Sequence, residues 1–160
     1  MNAAELATLL HLPRVELLES VGSTLDVAHE LGVSGAGAGT LVVAEEQTAG
    51  RGRMGRTWRS EAGAGVWLTV IERPASAAGL EVLSLRVGML VAPALDRFAS
   101  SAVGLKWPND LYLEGRKLGG TLIEARWREG IPDWVAIGVG INLRPPPTVP
   151  PAGNFSASGS

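Results

Sequence analysis

GLKWPNDLYLEGRKLGG, residues 104–120, contains both lysines of the chain, Lys106 and Lys117, against 12 arginines in 160 residues. Residues 103–107 read as a short strand, closed by Pro108, whose ring restricts the backbone of the residue before it. DLYLEGRKLGGTLIEARW then reads as a hairpin turning near Glu114-Gly115, its second arm running through Leu122, Ile123 and Ala125. A chain that writes nearly every cation as arginine keeps a compact ammonium twice within this hairpin, beside Asn109-Asp110 and Gly119-Gly120.

Further strands are expected at VELLES (15–20), TLVVAEE (40–46), VWLTVIE (66–72) and WVAIGVGINL (134–143). Residues 2–11 read as a short helix ended by Pro13, and Ser23-Thr24 caps a second helix running to about Leu31. Leu80, Leu83, Val87, Leu90, Ala94 and Phe98 recur at helical spacing and predict a third helix over 76–99, bent or broken at Pro93. Residues 47–65 have no period and read as a long loop. About six strands and three helices, joined by both hairpins and helices, predict an α+β domain: a mixed sheet with helices packed on one side. The domain spans 1–143, and 144–160 is a proline-rich tail with little to bury.

Composition excludes several classes. Net charge is −2 with a pI near 5.7, so the bulk of the chain does not favour nucleic acid or an acidic membrane. There is no cysteine, and His11 and His29 cannot form a histidine cluster. Glu5 and the lack of a continuous apolar start argue against a secretory signal, and no segment has the length of a membrane span, so the chain reads as soluble and cytoplasmic.

The densest charge lies in Gly50-Arg51-Gly52-Arg53-Met54-Gly55-Arg56-Thr57-Trp58-Arg59, with no carboxylate between Glu46 and Glu61. Glycines let backbone approach a ligand, and arginine forks hold carboxylate or phosphate oxygens. The stretch is either a solvated basic loop or a clamp over a small anion; an RNA-binding loop fits the neutral remainder less well. Its spacing matches neither the phosphate-cradling nor the dinucleotide glycine motif. Lys106 reads as a point charge for one oxygen or as a snorkelling strand-end residue. Asp110 reads as a cation ligand or as the ion-pair partner of a neighbouring lysine, and Asn142 as a turn cap or a group reading a purine edge or ribose.

Taken together these stretches resemble the catalytic domain of the biotin protein ligase (biotin–[acetyl-CoA-carboxylase] ligase) family. The matching pieces are Ser23-Thr24, Gln47 through Trp58, Lys106-Trp107-Pro108-Asn109-Asp110, Lys117 to Gly120, and Gly138 to Asn142, in family order over about residues 17–143. The resemblance implies a biotin/lipoate ligase fold and a two-step reaction. Biotin and Mg-ATP give biotinyl-5'-adenylate, and a lysine of a biotin carboxyl carrier protein then takes the biotin.

It implies Lys106 as the central catalytic cation, with Arg51 and Arg53 in a loop that folds over biotin and adenylate; substitution at the Arg53 position makes the adenylate leak. Ser23, Thr24 and Gln47 would bind the ureido ring, and Gly119 and Gly120 would line the acyl pocket. Lys117 and Asn142 would lie on the nucleotide side. Gly50, Gly52, Arg56, Trp58 and Asn109 would complete the binding surface, Asp110 would serve Mg2+, and Trp58 and Trp107 are expected to pack rather than to stack on adenine. A homodimer could form through an exposed edge of GVWLTVIE or WVAIGVGINL.

Two departures stand out. Leu25 occupies a position where the family usually has Asn. The chain also stops soon after GVGIN, where family ligases continue into further helices and a small β-barrel. The ligase-like core begins near residue 17, so no helix-turn-helix domain and no repressor activity are expected. A non-catalytic biotin- or adenylate-binding module is the alternative, and a lipoate- or octanoate-transfer enzyme is a more distant one.

Overall fold

In the structure of the chain, a computed structural model, residues 1–144 are described; the expected proline-rich tail lies, but for its first residue, outside them. Helix α1 (Ala3–Leu10) starts at a capping box in which Asn2 and Glu5 exchange hydrogen bonds. Strand β1 (Arg14–Val21) follows, then α2 (Thr24–Val33), β2 (Thr40–Gln47) and β3 (Gly65–Glu72). Helix α3 (Leu83–Asp96), β4 (Gly104–Lys106), β5 (Asp110–Leu113), β6 (Arg116–Arg128) and β7 (Ile131–Asn142) complete the domain.

The strands form one seven-stranded sheet in the order β1-β2-β3-β7-β6-β5-β4, one more strand than the sequence suggests. Only β1 and β2 are parallel, because α2 supplies the crossover that a parallel pair needs; every other pair is antiparallel. The Glu114-Gly115 turn joins β5 to β6 with both residues at positive φ. Strands β3 and β7 each pair on both sides, so neither edge expected to mediate a dimer is exposed.

Helices cover both faces of the sheet, not one. Alternate residues of a strand point to opposite faces, and β7 shows the division. Trp134 and Ala136 join Leu25 and Ala28 of α2 in one core with Val42 and Ile71, whereas Val139 and Ile141 join Ala92 of α3 in a second with Val103 and Leu111. The near-continuous apolar run WVAIGVGI is what a strand buried on both faces looks like.

Helix α3 also differs from expectation in length and face. A 3₁₀ turn over Leu80–Val82 precedes it, and Pro93 sits inside without ending it. The expected stripe residues Leu90 and Phe98 are exposed, while Gly88 and Ala92 are buried. Small residues face the sheet because it approaches closely: a Cβ at Gly88 would lie 2.8 Å from Leu105. No helix among the described residues is long and apolar enough to cross a membrane.

Gly119 marks the tightest strand contact on the α3 side, where a Cβ would lie 2.6 Å from the Gly140 carbonyl oxygen and 2.9 Å from Ile141. Backbone cannot yield as a flexible side chain does. Gly119→Ala is expected to cost about 1–3 kcal/mol of stability, read as a lower urea midpoint at unchanged slope.

Candidate active site

The site begins at the N-terminus of α2. Ser23 caps the helix by accepting the Leu25 amide, and Ser23 and Thr24 are both buried. Gln47, at the end of β2, closes the same corner. Its Oε1 accepts from the Thr24 amide at 2.9 Å, from Thr24 Oγ1 at 3.1 Å and from Ser23 Oγ at 3.4 Å. Its Nε2 donates to Ser60 Oγ at 2.7 Å, and Thr69 donates to Thr24 Oγ1 at 2.9 Å. The three residues expected at a ureido ring thus meet at one corner, in a chain of polar groups that includes Ser60 and Thr69.

The arginine- and glycine-rich stretch is not a shapeless loop. It folds back as a flap: the Gly52 amide donates to Arg56, the Trp58 amide to Gly50 and the Gln47 amide to Ser60. Its tip turns through Met54 and Gly55, both at positive φ. Gly50 is required at the base, since a Cβ there would lie 2.5 Å from the Trp58 carbonyl oxygen. Trp58 lies flat on Gly140, meets Trp67 edge-on at 6.4 Å, and leaves its buried Nε1 without a hydrogen-bond partner. Trp107 instead stands 68% exposed on the rim, in the turn that follows the edge strand β4.

The lysine hairpin forms the other wall. Lys117 Nζ is 2.7 Å from Asp110 Oδ1 and 5.1 Å from the Trp58 ring centre. Lys106 Nζ lies 3.5 Å from the Tyr112 hydroxyl and 5.1 Å from its ring centre. Asn109 is spent on architecture: its Nδ2 donates to the Thr121 carbonyl at 2.8 Å and its own carbonyl accepts the Thr121 amide.

Between these walls lies a cleft of about 640 Å³. Arg51, Arg53, Arg56, Lys106 and Lys117 border it against one carboxylate, Asp110. Ser23, Thr24, Gln47, Gly52, Trp58, Asn109 and Gly120 border it too, as does Leu25, whose side chain fills the space above Gly138. Gly50, Gly119 and Asn142 are not on its wall. Gly119 points its missing side chain to the α3 face, and Asn142 ends β7 opposite Gly65. Among the described residues no group of three or more His, Asp or Glu side chains is placed to hold a metal ion.

Sequence reasoning did not anticipate the partners of Arg51. Its Nε and Nη2 donate to Glu124 at 2.9 and 3.2 Å, and Nη1 is 2.8 Å from Asp26. Glu124 Oε2 also lies 2.8 Å from His29 Nε2, and His29 Nδ1 accepts from Trp134 Nε1 at 3.0 Å. An indole N–H only donates, so the imidazole proton belongs on Nε2, where it faces Glu124. The Arg51 guanidinium, with His29 behind it, holds the Glu124 carboxyl below its ordinary value of about 4.5. Glu124 in turn holds the Arg51 guanidinium above its ordinary value. A carboxylate with a depressed folded pKa stabilises the fold above its unfolded pKa and loses that contribution as pH falls through the folded one. Glu124→Gln should therefore flatten the decline in unfolding free energy below about pH 4.5, measured by urea titration between pH 6 and pH 2.

A sequence profile of the Biotin/lipoate A/B protein ligase family matches residues 17–142. The bifunctional ligase/repressor BirA of Bacillus subtilis is 41% identical over 128 residues, which is 79% of this chain and 39% of that protein. The biotin protein ligase of Leishmania major, solved with biotinyl-5-AMP, superposes with a TM-score of 0.71 at 34% identity, covering 86% of this chain and 60% of that one. The Aquifex aeolicus biotin protein ligase, solved with biotin and ATP, gives 0.70 at 33% identity, covering 87% and 56%. The chain thus spans less than two thirds of the length of each of these relatives. The match nevertheless takes in the capped α2, the flap, the lysine hairpin and β7, every element that builds the cleft, and the chain belongs to the Biotin/lipoate A/B protein ligase family.

Proposed function

We propose that this chain carries the catalytic cleft of a biotin protein ligase, which joins biotin to ATP as biotinyl-5'-adenylate and passes the biotin to a lysine of a biotin carboxyl carrier protein. The observation that carries the reading is the two-ended character of one cleft. A neutral hydrogen-bonding corner at Ser23, Thr24 and Gln47 suits a ureido ring, and the four cations Arg53, Arg56, Lys106 and Lys117 suit a carboxylate and phosphates. The ligand-bound Leishmania and Aquifex relatives support the same assignment.

In the first step a biotin carboxylate oxygen attacks the α-phosphorus and pyrophosphate leaves. Two anions must approach, so the chain's task is to cancel charge and hold the pair in line. Lys106 and Lys117 stand on the hairpin wall and Arg53 and Arg56 on the flap opposite. Lys117 is held by Asp110 and the Trp58 face, which orients its ammonium in advance. Mg2+ entering with the triphosphate would draw charge from its oxygens; Asp110 is the one carboxylate on the cleft wall, and with Oδ1 paired to Lys117 it would offer the ion only Oδ2. In the second step the carrier's amine attacks the acyl carbon, loses a proton and releases AMP. The flap's part is to keep water off the anhydride until then.

Biotin-dependent exchange of pyrophosphate into ATP, with lipoate as the control acid, tests the reading. Exchange with biotin alone supports it; exchange with lipoate alone moves the chain to the lipoate branch. A folded chain that binds biotin without exchange would be a binding module. Lys106→Ala should lower exchange about 10²–10³-fold while biotin binding persists, and equal loss of both would count against a role in phosphate chemistry. Arg53→Gly should speed release of the adenylate, seen as biotin scattered onto lysines of bystander proteins.

A further inference from the structure

We propose that Arg51 is the latch of the flap rather than a ligand of the substrate anion, and that Glu124 is the positioning residue that holds it. The inference deepens the ligase reading and rests on it for what the flap covers.

A guanidinium has five N–H donors in a fixed fork. In Arg51 that fork is turned away from the cationic end of the cleft. Nε and Nη2 engage the two oxygens of Glu124, and Nη1 engages Asp26. Asp26 lies in the first turn of α2, where a carboxylate also favours the helix dipole. Glu124 lies on β6, so one side chain ties the flap to a helix and to the sheet. Glu124 is itself seated. It receives His29 Nε2–H, and His29 is fixed by Trp134, whose ring fills the space over Gly32 in the α2 core.

The latch acts at the flap's root. Arg51 pairs with Thr57 across the fold-back, next to the Trp58-to-Gly50 hydrogen bond. Fixing its guanidinium fixes the two backbone arms from which Arg53 and Arg56 project, both exposed on the cleft wall. The arginines of this motif therefore divide: Arg51 sets the flap's position, and Arg53 and Arg56 meet the anion.

The test compares Arg51→Met, Arg51→Lys, Glu124→Gln and the Arg51→Met/Glu124→Gln double variant. The first readout is amide hydrogen exchange at Gly52 and Trp58 in the unliganded chain, because their acceptors lie across the flap. The second is dissociation of biotinyl-5'-adenylate. Arg51→Met and Glu124→Gln are each expected to speed both by about tenfold, and the double variant no more than Arg51→Met alone, since that change already removes the pair that Glu124→Gln weakens. Arg51→Lys should not rescue, because one ammonium cannot span two carboxylates as a fork does. The latch is overturned if Glu124→Gln leaves the flap amides and the adenylate unchanged, or if Arg51→Lys restores retention as a point charge would. Wild-type chain inactive in pyrophosphate exchange would sink the ligase reading, while the flap amides would still decide the latch.

Discussion

Everything around the cleft depends on β7 being buried on both faces. A strand in that position must satisfy two cores at once, so its alternate residues serve different masters. Trp134 and Ala136 hold α2, and Val139 and Ile141 hold α3. On the α2 face the next two positions are Gly138 and Gly140, and their bare backbone leaves room for Leu25 and for the Trp58 ring. Trp58 carries the return arm of the flap and lies against the Lys117 ammonium. One strand thus places the capped helix, the flap and the lysine hairpin about a common floor.

Polar groups then divide the cleft by chemistry. Gln47 Oε1 accepts from Thr24 and Ser23 and its Nε2 donates one bond to Ser60, which ties α2 to the flap's base. At the other end the cations are spread over two walls that are far apart in sequence. The excess of positive charge on those walls favours a ligand bearing negative charge beyond its individual contacts. Lys117 is offset within that end by Asp110, and the Arg51 fork is neutralised by Asp26 and Glu124 outside it.

Much of the local structure was legible because it obeys short-range rules. Ser23 capping α2, the apolar strands, and the Glu114-Gly115 turn depend on residues within a few positions of each other. The flap was missed as structure because its ladder consists of backbone bonds among glycines and arginines, whose side chains show no period. The face of α3 was misread for a different reason: glycine and alanine carry little hydrophobic signal, yet only they fit where the sheet comes this close.

The sequence by itself determined which side chains are available to the site: two lysines in a hairpin, a glycine-spaced set of arginines and a capped helix start. Local chemistry writes those directly into the chain. Tertiary structure alone decided which of them face the cleft. Glu124 lies 73 positions from Arg51, and Trp134 lies 105 from His29. Gly119 and Gly120 are neighbours that the pleat sends to opposite faces. Such pairings arise from the packing of strands brought together over long loops, and no short window of sequence contains both partners.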